Sequence, residues 1–174
     1  MERFEELKQE LLKRAKHANA CKEQYTRAYS AETLEQLMEV CRDNFHWACG
    51  NKVLDVDIIT QYHNAFALGN IYANENITQG YLLCDNSSVK AYDNAIVKAC
   101  GNASVDACGN ASVEAYGNSS VKAYDNASVD AYDNAYINSL SVREVKLSGN
   151  AIYRIQENDT IRYANPKIKF ELVK

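Results

Sequence analysis

Hydrophobic and polar positions repeat every eight residues through the centre of this chain. From Ser88 the successive units read SVKAYDNA, IVKACGNA, SVDACGNA, SVEAYGNS, SVKAYDNA and SVDAYDNA. In each unit a Val and the Ala two places later are apolar while the flanking positions are polar or variable, the alternation of a strand with one buried side. The Asp-Asn or Gly-Asn pair that follows tolerates a left-handed backbone and turns the chain. Because such units bury their apolar side only by stacking, the pattern predicts a β-solenoid.

The charged positions predict that two units, sixteen residues, make one coil. At that spacing one outward column reads Lys90, Asp106 and Lys122, so that opposite charges are neighbours. A coil of eight residues would instead stack Asp125 on Asp133, at a strand spacing of about 4.8 Å where like charges repel. The predicted fold class is therefore mainly β, a β-solenoid of about 16 residues per coil with an α-helical N-terminal cap.

The eight-residue grid extends beyond the clearest repeats, which sets the predicted domain bounds. The solenoid is expected over residues 67–165, in roughly six coils. The inward Val position continues as Ile137, Val145, Tyr153 and Ile161. Since these side chains are mostly larger than Val, the coil is expected to widen toward its C-terminal end.

The turn asparagines are expected to have a structural role. Those at the corners of the central repeats should bond along the stack, to backbone or to the next Asn, as in other stacked strands. They are Asn102, Asn110, Asn118 and Asn126.

Residues 1–66 lack the repeat and predict a helical cap domain. Leu7 and Leu11 recur at helical spacing. Ser30 is expected to cap a second helix, and Asp55 or Asp57 to start a third. A solenoid end needs a cover because exposed strand edges promote aggregation.

Residues 166–174 predict a C-terminal strand that caps the solenoid or joins two subunits. Pro166 interrupts the Asn grid, and after it apolar residues alternate with charged ones. Ile168, Phe170 and Leu172 are the candidate dimer contacts. An unpaired strand with an apolar side favours closed twofold pairing, so a homodimer is expected.

Composition and charge limit the function classes. The net charge is −4, without the basic stripe of a nucleic-acid-binding domain, so nucleic acid is not expected as a partner. No apolar run approaches the roughly 20 residues that span a bilayer, and the charged N-terminus is unlike a secretory signal. The sequence therefore predicts a cytoplasmic protein that has no membrane partner and keeps its six cysteines reduced.

The residues that carry enzyme and metal chemistry form no recognised pattern. His17 and Cys21 are four apart, and Cys41, His46 and Cys49 follow later, but their spacing matches no standard zinc finger. All three histidines precede the solenoid, and the glycines stand at repeat corners rather than in a phosphate loop. We therefore expect no catalytic residue, no metal and no cofactor.

Tyrosines provide the candidate partner-binding surface. Tyr92 and Tyr124 belong to one side of the coil, and Tyr116 and Tyr132 to the other. Aromatic rows on a rigid face are favourable contact surfaces for a protein partner. The alternative is that they are only stacking ladders that stabilise the coil.

The repeat S-V-x-A-[YC]-[DG]-N-A, behind a segment that ends in NKVLDVDIITQY, resembles octapeptide-repeat β-solenoid proteins of phages and mobile elements of gut bacteria. This resemblance covers nearly the whole chain. It implies a small non-enzymatic binding protein in a bacterial host cell, one that inhibits a bacterial defence system such as a CRISPR nuclease by protein–protein interaction. The alternative is a self-assembling scaffold of the bactofilin type. Hexapeptide acyltransferases, which are also solenoids, differ in their six-residue period and catalytic histidine.

Overall fold

The computed structural model describes residues 2–141 and 143–169. The chain divides into two units, residues 1–73 and 74–174. The first is helical and the second is a β-solenoid of about five turns with about 16 residues per coil. The predicted fold class is confirmed. The role of the helices as a cap stays a prediction.

Amphipathic segments form the helices of the first unit. Their bounds are α1 Glu2–His17, α2 Lys22–Ser30, α3 Leu34–Asp43, α4 Phe45–Gly50, α5 Val56–Gln61 and α6 His63–Leu68, with strand β1 Ile71–Ala73 after them. Leu7, Leu37, Phe45, Ile59 and Phe66 are at most 1% exposed and form the core of this unit.

Two polar side chains cap helices in this unit, those of Thr33 and Asp55. The first of these caps differs from the predicted one. Ser30 ends α2 and does not cap the next helix. Thr33 caps α3 instead, because its hydroxyl accepts from the Gln36 amide while the Gln36 side chain accepts from the Thr33 amide. Asp55 caps α5 as expected, and its second carboxylate oxygen lies 2.7 Å from Arg14 Nη1.

The solenoid strands follow the octapeptide units. Their bounds are β2 Ile77–Asp85, β3 Ser88–Cys100, β4 Ser104–Ala107, β5 Ser112–Ala115, β6 Ser120–Ala123, β7 Ser128–Ala131, β8 Tyr136–Ser139, β9 Val145–Leu147, β10 Ile152–Ile155 and β11 Thr160–Tyr163. They form two rows of parallel strands. Residues 88–91 of β3 belong to the row that continues with β4, β6, β8 and β10. Residues 96–99 of β3 pair with β2 on one side and with β5 on the other, in the row that continues with β7 and β9.

The strand register advances by sixteen residues per coil, as the charge pattern predicts. Val89 pairs with Val105, Val105 with Val121, and Val121 with Ile137. The side chains of this column are at most 3% exposed. Fully burying one Val contributes about 1.5–3 kcal/mol, so stacked Val columns supply much of the driving force.

The chain turns between octapeptide units at residues with a left-handed backbone, which gives two corners in a coil. These residues recur at eight-residue spacing: Asp93, Gly101, Gly109, Gly117, Asp125, Asp133 and, after one omitted position, Gly149. At Gly109 a Cβ would lie 2.8 Å from Asp93 Cα of the preceding coil, so the corner requires glycine for space as well as conformation. The Gly109 amide donates to Asp125 Oδ2 at 3.2 Å. No two aspartates among these corner residues are sixteen residues apart, so the corners stack without stacking carboxylates.

The corner asparagines form a side-chain ladder along the stack, which confirms that they bond to the next Asn. Asn102 Nδ2 donates to Asn86 Oδ1 at 3.4 Å, and Asn118 donates to Asn102 at the same distance. Asn134 and Asn150 continue the row at 3.2 Å each. On the second corner Asn126 donates to Asn110 at 3.4 Å.

Tyr153 places a larger side chain in the inward column, as the sequence predicts. Tyr153 takes the inward Val position and is 1% exposed. Its hydroxyl lies 2.7 Å from Ser139 Oγ and accepts from the Arg143 amide at 3.0 Å. The buried hydroxyl is therefore fully bonded, which is required for a polar group inside a core.

The C-terminal end departs from the predicted grid. Strand β11 runs antiparallel to β10, with Thr160 opposite Ile155, so the chain folds back before a sixth coil is complete. The prediction that Ile161 continues the inward column is wrong, because its side chain is 43% exposed. Pro166 and Lys167 lie in a turn, and residues 168–169 have no regular secondary structure. Residues 170–174, and with them most of the predicted strand, lie outside the described residues.

Candidate functional site

The two rows of strands present two outward surfaces that carry different side chains at equivalent positions. We call the outward side of the row containing β4, β6 and β8 face A, and that of the row containing β5 and β7 face B. On face A the columns read Lys90, Asp106, Lys122 and Tyr92, Cys108, Tyr124. On face B they read Lys98, Glu114, Asp130 and Cys100, Tyr116, Tyr132.

On face B the aromatic and charged side chains contact one another. The rings of Tyr116 and Tyr132 stack with centroids 4.6 Å apart and planes at 6°. Lys98 Nζ lies 4.2 Å from the Tyr116 ring centroid and 3.6 Å from Glu114 Oε2. Lys98 is only 6% exposed. A cation, a ring and a carboxylate thus satisfy one another within the protein.

The Tyr116 hydroxyl completes this group on face B. It donates to Glu114 Oε2 at 3.0 Å. Burial, followed by this hydrogen bond, raises the pKa of Tyr116 well above its ordinary value. The phenol therefore stays neutral and remains a donor at physiological pH.

Face A leaves the equivalent side chains exposed. Tyr92 is 36% and Tyr124 41% exposed. Within residues 2–141 and 143–169, neither ring stacks on another ring and neither hydroxyl is bonded. Over the same ranges Asp106 makes no ion pair with Lys90 or Lys122, although their charges alternate along the column.

Two further exposed residues of face A were not singled out in the sequence. Tyr136 occupies the Ser column after Ser120 and is 37% exposed. Leu140 follows Tyr124 in its column and is 62% exposed. The repeat is degenerate here, so only their position on the sixteen-residue grid could have indicated that they extend face A.

The predicted tyrosine surface therefore separates into two parts. The structure places Tyr92 and Tyr124 on face A and Tyr116 and Tyr132 on face B, on the sides that the period predicts. The face B pair forms a stacking ladder and the face A pair does not. Of the candidate dimer contacts, Ile168 is half-buried, while Phe170 and Leu172 lie outside the described residues. The homodimer stays a prediction.

Burial favours the protonated thiol at two cysteines, Cys41 and Cys84. Burial raises the pKa of Cys41 to about 12 and that of Cys84 to about 11. The sixteen-residue period would pair Cys84 with Cys100, but Cys84 pairs with Ala99 instead, so the first coil is one residue shorter than the period. Among the residues that the structure describes, no three His, Cys, Asp or Glu side chains are grouped to hold a metal ion.

The helical unit contains a cavity of about 330 Å³. Leu11, Leu37 and Val40 line its wall together with Trp47. The Asn44 side-chain amide, also in the lining, donates to Gln24 Oε1 at 3.1 Å. No charged side chain lines the cavity in the part of the chain described. Its size is at the lower limit for small-molecule sites, and its walls favour an apolar group over an ion.

Within the described ranges, no helix combines the length and apolar character needed to cross a bilayer. No protein-family model, curated protein or solved structure matches this chain.

Proposed function

We propose that this chain is a non-enzymatic binding protein that docks a protein partner on face A. One observation carries the proposal: Tyr92 and Tyr124 are 36% and 41% exposed on a paired sheet, while the equivalent Tyr116 on face B is used internally. Exposed tyrosines on a rigid surface are favourable anchors, because they bring a large contact area and few torsions to immobilise.

The charges around these tyrosines fit the rim of a protein interface. Lys90 and Lys122 are exposed and Asp106 is half-buried, and all three stand beside the tyrosine column. Mixed charges at a rim set orientation and association rate more than affinity. We therefore assign the binding energy to the rings and the choice of partner to the charged column.

The form of this function that we propose is inhibition of a bacterial defence system, such as a CRISPR nuclease. The support is the resemblance of the repeat and of the preceding helical segment to solenoid proteins of phages and mobile elements. Binding through a preformed surface is sufficient for inhibition, because occupying a nuclease surface requires no chemistry from the inhibitor.

A self-assembling scaffold is the alternative, and the strand order disfavours it. End-to-end growth needs a free strand edge at each end of the stack. Strand β11 pairs antiparallel with β10 and occupies its outer edge. Because β11 occupies this edge, a further parallel strand cannot pair with β10.

The test combines a phage challenge with affinity capture. Bacteria with an active CRISPR system would express the wild type, the double variant Tyr92→Ser/Tyr124→Ser, or the face B control Tyr132→Ser. We expect the wild type and the control to restore phage plating by at least about tenfold and to capture the same host protein. The double variant should do neither while remaining folded. Equal protection and capture by the double variant would contradict the proposal.

A further inference from the structure

The internal group on face B has a counterpart on face A that lacks one member. Lys98, Glu114 and Tyr116 form the group on face B. Eight residues earlier in each case, face A carries Lys90, Asp106 and Cys108. The ring is therefore replaced by a small thiol. Lys90 has no ring to cover and stays exposed, and Asp106 has no hydroxyl to bond.

The missing ring leaves a gap in the tyrosine column of face A. Tyr92 and Tyr124 lie two coils apart, with Cys108 between them. Two strand steps correspond to about 9.6 Å. On face B a single coil step brings two rings to 4.6 Å. By strand spacing, the Tyr92 and Tyr124 positions are therefore separated by the thickness of one intervening planar group, with Cys108 at the step between them.

Carboxylates flank this gap. Asp106 lies on the adjacent outward position of the same strand and has no ion pair within the described ranges. Asp125 follows Tyr124 at the corner and accepts the Gly109 amide. After burial itself, Asp125 and Asp106 are the groups that raise the pKa of the Cys108 thiol, while Lys90 lowers it. Both carboxylates are therefore close enough to influence the thiol at the base of the gap.

We infer that the gap between Tyr92 and Tyr124 over Cys108 is a slot for an arginine side chain of the protein partner. The inference rests on the proposed function and names the chemistry of its central contact. A guanidinium is planar and cationic, so it stacks on both rings at once and donates to Asp106 from its edge. A lysine ammonium lacks the plane, and a phenylalanine ring lacks the charge. Face B already contains a cation on a tyrosine beside a carboxylate, with the protein's own lysine.

The direct test is an NMR titration of the full chain with ring-labelled tyrosine. The probes are N-acetyl-arginine amide, N-acetyl-lysine amide and the neutral isostere N-acetyl-citrulline amide. We expect arginine amide to shift the Tyr92 and Tyr124 signals with a dissociation constant of about 1–50 mM, leaving the Tyr132 signal unmoved. The lysine and citrulline probes should bind at least about fivefold more weakly.

Two substitutions at one position provide the matched comparison. Cys108→Tyr inserts the ring that the repeat carries at this position in other units, so the variant should fold with an unchanged or higher melting temperature and lose the arginine response. Cys108→Ser keeps the slot open and should bind as the wild type does. Asp106→Asn should weaken arginine binding at least about threefold and leave the response to citrulline unchanged.

Three results would overturn the slot. They are no saturable shift of Tyr92 and Tyr124 up to about 100 mM arginine amide, equal binding by Cys108→Tyr, and stronger shifts from a single-stranded oligonucleotide of mixed sequence. If the titration fails while Tyr92→Ser/Tyr124→Ser still abolishes partner capture, only the slot is wrong. If arginine binds but the double variant still captures the partner, the proposed function is wrong.

Discussion

The backbone amide of Gly117 donates a hydrogen bond to Oδ2 of Asp133, one coil further along, at 2.9 Å. Both residues have a left-handed backbone. The glycine brings its amide close enough for the carboxylate, and the carboxylate satisfies an amide that the turn removes from the strand ladder. This hydrogen bond thus links the turn of one coil to the turn of the next coil. The stacked turns in this way help to hold the coils of both faces in register.

Gly117→Ala should destabilise the solenoid. Its φ is +68°, and a Cβ there would lie 2.9 Å from the Gly101 carbonyl oxygen. We expect the free energy of unfolding to fall by about 1–3 kcal/mol, measured by urea denaturation. Asp133→Asn keeps an acceptor and a residue tolerant of this backbone, so it should cost less. A Gly117→Ala protein as stable as the wild type would contradict the role given to the corner.

Val113→Asp should be far more damaging than the same charge one position earlier. Val113 is 1% exposed, whereas Ser112 points outward. An unpaired carboxylate in the core costs several kcal/mol or becomes protonated. We expect loss of the strand signal in circular dichroism for Val113→Asp and a native spectrum for Ser112→Asp. Native spectra for both variants would show that the inward column is assigned wrongly.

Asn118→Ala should lower the melting temperature without affecting partner binding. Asn118 donates to Asn102 at 3.4 Å and accepts from Asn134 at 3.2 Å. Each of these long, exposed bonds is worth no more than about 0.5–1.5 kcal/mol. Asn126→Ala removes one such bond and serves as the comparison. Lost binding with unchanged melting would instead make the asparagine row a recognition surface.

Buried cysteines should react with thiol reagents more slowly than exposed ones. Burial raises the pKa of Cys41 to about 12 and of Cys84 to about 11. A raised pKa means less thiolate at pH 8, and thiolate is the reactive form. We expect iodoacetamide to label exposed Cys21 at least about tenfold faster than Cys41 or Cys84 in the folded protein, followed by mass spectrometry. Fast labelling of Cys41 would contradict the packing of the helical unit.

The central coils could be predicted from sequence because each octapeptide unit repeats the same inward, outward and corner positions. The pairing of Val89 with Val105 follows from the period, the charge order and the separation of aspartates. The sides occupied by Tyr92 and Tyr116 follow from the same period. Whether these rings stack could not be predicted from the period. Stacking depends on whether the neighbouring coil supplies a ring, as at Tyr132, or a thiol, as at Cys108.

The ends of the solenoid were less predictable because single residues change the register there. In the first coil Asn86, not Asp85, has the left-handed backbone, and Cys84 therefore pairs with Ala99, one place off the grid. At the C-terminal end the left-handed residue Asp159 follows a 3-10 turn and reverses the chain into β11. Spacing alone does not distinguish a further coil from a hairpin.

Oxidative footprinting of the complex with its captured partner tests the central claim most directly. Hydroxyl radicals modify exposed tyrosines, and mass spectrometry measures the modification of each one with and without partner. Docking of the partner on face A predicts strong protection of Tyr92, Tyr124 and Tyr136 and an unchanged rate at Tyr132 on face B. Protection of Tyr132 without protection of Tyr92 and Tyr124 would contradict it.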